Sequence, residues 1–430
     1  MNKNFSKDAL ASKIERQDLS PVLETESSTK GTSYAEMFNP AALPLPRLPW
    51  LIQALTDLEE ESEFKAPLVV ALLPILGALA TNIRFDYYDG EEHSLSFMTC
   101  IQGETSSGKS FVKRYVDLLT IPFLEEEDRL GPQTTSISAL CQKMQITCGK
   151  HLFTFYPELA VLVQHSKRGS WANLNQFFCL AFDNSIYSQE MISRQGTWSG
   201  TIQLLLNMLA TGTPDACKSF FNGNAIEGGM LNRWIVTELP DRFGEPMRRF
   251  RPITEDMKYE VGSAVLWLME QGGQLAFPPL LEAIQTWVNQ KGDLAKATAS
   301  KAVDEFRKRS AVNGFRAGML CYLLEQYNST LTEDEIVNFG LWVAEYTFCN
   351  HMSLFGSRVD KAASDHQRIN GHRVPYMLPM LPKQFTREDV SQLQTKLGNS
   401  NADPKQNISY WKQIGCIKEV VKGLRYEKVV

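Results

Sequence analysis

Short, continuous apolar runs mark the first half of the chain. "HLFTFY" (151–156) is β-branched and aromatic with no alternation, and "FMTCIQ" (97–102) and "TIQLLLNMLATG" (201–212) are likewise apolar runs that read as strands. Strands apolar on both faces belong to a parallel sheet covered on both sides. "IRFDYYDG" (83–90) and "HSLSFMTCIQ" (93–102) also read as strands. Helical spacing fills 109–120, 136–147 and "NLNQFFCLAF" (173–182), and the run "APLVVALLPILGALA" (66–80) reads as a buried helix pair broken at its proline. From about 254 the pattern is helix only, in "MKYEVGSAVLWLMEQ", "PPLLEAIQTWVNQK", 298–326 and "TEDEIVNFGLWVAEYTFCNHM". The alternation of strand and helix followed by helix alone predicts an α/β core with a helical lid.

Punctuation divides the rest. Residues 1–46 are polar and end in "NPAALPLPRLP", which reads as a flexible lead-in closed by a proline-rich linker. The expected units are a core over 47–253, a lid over 254–365 and a C-terminal unit over 376–430, after the linker "HQRINGHRVPYMLP" (366–379).

Composition narrows the classes without naming one. At 430 residues, with 43% hydrophobic and 22% charged residues, the chain suits two or three soluble domains. A net charge of −5 excludes a uniformly basic coat but leaves room for a local basic patch. The opening "MNKNFSKDALASK" carries no apolar signal core, and the apolar run 66–80 is short for a bilayer, so a cytoplasmic protein without membrane contact is expected. Eight scattered cysteines form no CxxC pair and the six histidines form no cluster, which removes support for zinc ligation or a disulfide framework.

Chemistry enters at "CIQGETSSGKSFV" (100–112). Gly103, Gly108, Lys109 and Ser110 satisfy G-x-x-x-x-G-K-[ST], between an apolar strand and a helical pattern. Glycines let such a loop curl so that its N–H groups point inward at a phosphate. Lys109 would place charge on the β/γ oxygens, Ser110 would offer its hydroxyl to Mg²⁺, and the following helix would add its positive end. Residues Glu104, Thr105, Ser106 and Ser107 complete the expected nucleotide loop.

Hydrolysis needs further groups. Glu158 ends the strand "HLFTFYPE" and is the candidate general base, or else a surface glutamate; Pro157 stands where an aspartate would support the metal. Thr211, in "LLLNMLATGTP", is placed to sit beside the γ-phosphate or simply to fill a turn. Arg233, in "GGMLNRWIV", is a candidate arginine finger acting on a neighbour's ATP, or a surface arginine. Arg316 lies on an apolar helix in "AVNGFRAGMLCYLLE", where it requires a partner: a nucleotide γ-phosphate or an intradomain salt bridge.

These stretches carry a resemblance. "LPWLIQAL", "CIQGETSSGKS", "FTFYPELAVL", "CLAFDN", "MLATGTPDACKSFF" and "GGMLNRWIV" resemble, over about 45–350, a bacterial P-loop ATPase family of mobile genetic elements, a domain of unknown function commonly described as a primase-associated helicase. The motif order is also similar to AAA+ helicases of the minichromosome-maintenance and superfamily-3 type. The resemblance implies an AAA+-like P-loop NTPase core, ATP with Mg²⁺, a self-assembled ring such as a hexamer, single-stranded or forked DNA, and a primase or other replication protein as partner. It maps Gly103, Gly108, Lys109 and Ser110 onto the family's phosphate loop, Glu158 onto its acidic strand end, and the Gly-Thr-Pro at 212–214 and Arg233 onto later motifs. No primase catalytic domain is visible.

The segment 385–430 reads as helix, short helix, recognition-type helix and two strands around "KGLR", the order of a winged helix. From Lys383 to Val430 there are nine Lys and Arg against five Asp and Glu, a local charge of +4. Lys405, Lys412, Lys418 and Lys422 are the candidate DNA-phosphate contacts; a winged helix used for protein contact is the alternative. Three functions follow: a ring-forming DNA helicase or translocase serving replication or mobilisation of an element, an ATP-dependent assembly or regulatory switch (phage defence included), or a DNA-binding adaptor.

Overall fold

In the computed structural model, residues 34–429 are described except 126, 134–135, 148, 167–170, 191–197, 299, 367, 370–371, 374–376, 379, 397–402 and 414. The strands that matter are β1 (Asn82–Asp86), β2 (Glu92–Ser94), β3 (Met98–Gln102), β4 (Leu152–Tyr156), β5 (Ile186–Gln189), β6 (Gly200–Gln203), β7 (Leu206–Gly212), β8 (Ile235–Glu238) and β9 (Gly272–Gln274). β4, β7, β3 and β8 form one parallel sheet in that order, with Cys100 level with both Ala210 and Val236. Every residue of β3 and β7 is buried, which explains why these strands read as unbroken apolar runs.

One face of the sheet is covered by the helix Lys65–Leu79, where the Thr99 hydroxyl donates to Val70 O at 3.0 Å. This is a single helix with Pro74 inside it, not the expected pair; proline removes one hydrogen bond, and burial of the whole helix surface outweighs that loss. Its extension Ser62–Leu79 is the one stretch among the described residues long and apolar enough to cross a membrane, and it is 78% buried. β1 pairs antiparallel with β2 and parallel with β9, outside the main sheet, and β5 pairs with β6 as a polar hairpin; the strand expected over 201–212 is thus two strands, β6 and β7, and β5 has no counterpart in the apolar pattern.

The helices Glu255–Glu270, Pro278–Thr298, Lys301–Leu324 and Glu333–His351 follow, the last opened by a capping box between Thr332 and Glu335. They close on the sheet: Tyr346 Oη lies 2.6 Å from Thr237 Oγ1, and His351 Nε2 donates to Trp234 O at 2.8 Å. Buried side chains across residues 48–359 form one continuous core. The end of the polar lead-in joins this body, because Tyr34 Oη donates to Asp360 at 2.7 Å and Phe38 packs edge-on against Phe348. Residues 1–33 of the expected flexible lead-in lie outside the described residues.

The C-terminal unit has its own core, built around Phe385, Val390, Ile408, Trp411 and Tyr426. Helices Arg387–Lys396 and Pro404–Gln413 accompany an antiparallel sheet in which Gln384–Phe385 and Ile417–Val421 both pair with Arg425–Lys428. The short helix expected between the two helices falls largely on 397–402, outside the described residues.

Candidate active site at the carboxyl edge of the sheet

The glycine-rich loop leaves the carboxyl end of β3 and enters the helix Phe111–Leu119. Its start is held on both sides: Gly103 N donates to Gly212 O of β7 at 3.1 Å, and Leu239 N, beyond β8, donates to Gln102 O at 2.8 Å. The loop then closes on itself. A Cβ at Gly103 would stand 2.4 Å from Ser107 Oγ, and Gly108 has φ +88°, a region that glycine enters without strain. Lys109 Nζ donates to the carbonyls of Gly103 (2.7 Å) and Glu104 (2.6 Å), so its ammonium crosses the loop and meets only neutral acceptors. An anion would be a stronger partner for the same cation. Glu104, Thr105 and Ser106 are exposed, whereas Ser107 is buried with its hydroxyl unpaired. Ser110 stands at the helix N-cap and its side chain makes no capping bond, which leaves the hydroxyl available.

The sheet order singles out this edge. The chain leaves β3 for β4, past β7, and leaves β7 for β8, past β3. Parallel crossovers are right-handed as a rule, and that hand would carry these two connections over opposite faces. The carboxyl ends of β3 and β7 therefore form a topological switch point, the place where open α/β sheets bind ligands. No family model and no curated protein matches this chain. The functional reading therefore rests on its own residues.

Glu158 and Thr211 share that edge. Glu158 is exposed immediately after β4. Thr211 clamps it from both sides, since its Oγ1 donates to Pro157 O at 2.5 Å and its carbonyl accepts from Leu159 N at 2.7 Å. The Thr211 hydroxyl, in a residue 3% exposed, is thus donated to Pro157 O, next to Glu158, and is not left free for a γ-phosphate as expected. Thr213 caps the helix Pro214–Phe220, and Asn207 lies deep in the sheet with Phe97 N and His151 as partners.

Arg233 is at the other edge, just before β8, where Nη2 binds Asp183 Oδ2 at 2.7 Å and Nη1 donates to Gly229 O at 2.9 Å. Arg309 takes the second Asp183 oxygen at 2.9 Å. Arg309 and this role of Asp183 were not visible in the sequence, because their spacing along the chain carries no local signal.

Arg316 is corrected from a γ-phosphate contact to a structural group. It is fully buried, donates to Ser96 O and Phe182 O at 2.7 Å each, meets His93 Nδ1 at 3.0 Å and stacks 4.3 Å from the Phe182 ring centroid. Burial pushes its guanidinium down to about 9. Burial and the adjacent Arg316 push His93 down to about 4, so the imidazole is neutral and can accept. Neither an anion nor a salt bridge was needed: backbone carbonyls serve Arg316.

A strap after β8 adds residues that the sequence reading missed. Arg242 pairs with Glu61, Arg248 with Glu59, and Arg251 Nε lies 3.2 Å from Glu60. The clue was present as two segments of opposite charge, "LEEESEF" (58–64) and "MRRFRP" (247–252).

Among the described residues, no group of three or more His, Cys, Asp or Glu could hold a metal ion. The free Ser110 hydroxyl nonetheless fits Mg²⁺, which uses few protein ligands and keeps water and substrate phosphates. In the C-terminal unit Lys412 pairs with Glu419 at 2.6 Å and Lys418 with Glu427 at 3.0 Å. Lys405 and Lys422 are exposed and make no salt bridge among the described residues.

Proposed function

We propose that this chain binds and hydrolyses ATP with Mg²⁺ as one subunit of a ring that translocates along or unwinds DNA, serving replication or mobilisation of a genetic element. The observation that carries this reading is the glycine-rich loop of residues 103–110 standing at the switch point of the four-stranded parallel sheet. Motif order supports a P-loop NTPase core of the AAA+ kind. Lys109 would hold the β/γ phosphates, Ser110 the metal, and Glu158 would take a proton from the attacking water. Bound Mg²⁺ would supply charge neutralisation at the phosphates.

DNA as the second partner rests on the C-terminal unit, which we read as a winged helix with local charge +4. With Lys412 and Lys418 already paired, Lys405 and Lys422 become the stronger phosphate contacts. Replacing both with alanine should weaken duplex DNA binding and lower the log–log salt slope by about 1.8, at about 0.9 per lost contact. An unchanged slope would turn this unit toward a protein partner.

A second reading, an ATP-dependent assembly switch or a DNA adaptor, is favoured by two observations: Pro157 occupies the metal-supporting position, and Asp183 holds Arg233. Electron microscopy with a slowly hydrolysed ATP analogue and forked DNA, together with a strand-separation assay, tests the motor. Rings around DNA and ATP-dependent unwinding are expected. Assembly on ATP without DNA engagement or unwinding would favour the switch.

A further inference from the structure

The strap of residues 239–253 brings an unassigned arginine against the phosphate loop. The Arg248 side chain is 6% exposed and its guanidinium lies 3.4 Å from the Phe64 ring centroid. Nη2 pairs with Glu59, whose own side chain is 1% exposed, and Nε lies 3.3 Å from Glu61 Oε2. Nε and Nη1 are both buried without a hydrogen-bond partner; Nε faces Glu61, and Nη1 has no acid beside it among the described ion pairs. A Cβ built on Gly108 would stand 3.2 Å from Arg248 Cδ and 3.8 Å from Nη1, so the unpartnered donor lies beside the glycine that precedes Lys109.

An unpaired donor on a buried cation is costly unless something completes it. Here the surroundings already fix the orientation. Glu59 accepts from Tyr115 Oη at 2.5 Å, which ties the Arg248 partner to the helix that follows the loop. Glu61 receives Arg242 as well, so the acidic pair is shared by two arginines. Phe64 supports the flat face of the guanidinium. The planar fork is needed for this, because one end must hold Glu59 while another faces the loop; a lysine ammonium offers no such division.

We propose that Arg248 is a nucleotide-binding residue that donates from Nη1 to a phosphate oxygen of a nucleoside di- or triphosphate held by residues 103–110. The inference rests on the nucleotide reading of that loop. It adds a second cation, from the segment after β8, to the one supplied by Lys109. It also gives Glu59 and Glu61 a task, which is to hold Arg248 in place before ligand arrives.

The test is calorimetric titration of the full chain with Mg–ATP and Mg–ADP, comparing wild type, Lys109→Ala, Arg248→Lys and the double variant Glu59→Gln with Arg248→Gln. Arg248→Lys keeps a cation opposite Glu59, and the double variant leaves no buried charge unpaired, so thermal melting should show both folded. Both are expected to lose about 10- to 100-fold in nucleotide affinity, the size of one hydrogen bond to a charged group. Wild-type affinity in either Arg248 variant, with Lys109→Ala defective, would overturn the role of Arg248 and leave the loop reading standing. Absence of nucleotide binding by the wild type would overturn both.

Discussion

Arg233→Ala subunits are expected to bind ATP nearly as the wild type does and to hydrolyse it about 10³–10⁵ times more slowly, the range found for arginine fingers. The topology requires that such an arginine act on a neighbour. Arg233 precedes β8 at the amino edge of the sheet, while residues 103–110 follow β3 at the carboxyl edge. At about 3.3 Å per residue the sheet alone separates the two edges by roughly 13–17 Å. Within one chain Arg233 is occupied by Asp183 and Gly229 O, so ring assembly would have to exchange Asp183 for the neighbour's phosphate. Mixing supplies the decisive comparison. Arg233→Ala and Glu158→Gln subunits, each inactive alone, should regain partial activity together, because some interfaces then pair an intact Glu158 with an intact Arg233. No recovery at any ratio, with mixed assembly verified, would contradict a shared site.

Glu158→Gln is expected to retain ATP affinity and lower turnover by about 10²–10⁴, the usual contribution of a general base. The amide preserves size and hydrogen bonding but cannot take a proton from water. Thr211 sharpens the prediction: with Pro157 O and Leu159 N both bound to it, Thr211→Val should reduce turnover in the same direction by loosening Glu158, with little change in binding. Single-turnover hydrolysis measures both variants. Unchanged rates in Glu158→Gln would place the base elsewhere. Asp183 is a poor substitute, since two arginines occupy its oxygens.

How much of this was legible depended on whether the signal was local. The strands β3, β4 and β7 announced themselves because burial on both faces leaves no polar position in them. The turn between β3 and the next helix was legible because its glycines punctuate the pattern, Gly108 taking φ +88°. β5 was missed and β6 was run together with β7 in the strand read over 201–212: exposed residues such as Ser188 and Thr201 satisfy each other across the hairpin and leave no apolar period to read. Arg316 was misassigned for a related reason. Its partners are carbonyls of Ser96 and Phe182, and backbone acceptors leave no trace in a sequence. Thr211 was located at the right edge, but the direction of its hydroxyl depends on Pro157, 54 residues earlier. The strap pairing Arg248 with Glu59 spans 189 residues, and only the opposite charges of the two segments hinted at it.

The central claim, that residues 103–110 hold nucleotide phosphates, is tested most directly by equilibrium binding of Mg–ATP to wild type and Lys109→Ala under identical salt. Lys109 presents its ammonium to two loop carbonyls and is not part of the core, so the variant should melt as the wild type does. The account predicts a loss of about 100-fold or more, since the ammonium would contact both β and γ oxygens at about 1.5–3 kcal/mol per charged hydrogen bond. Equal affinity in the two proteins, or no binding by the wild type, would contradict it.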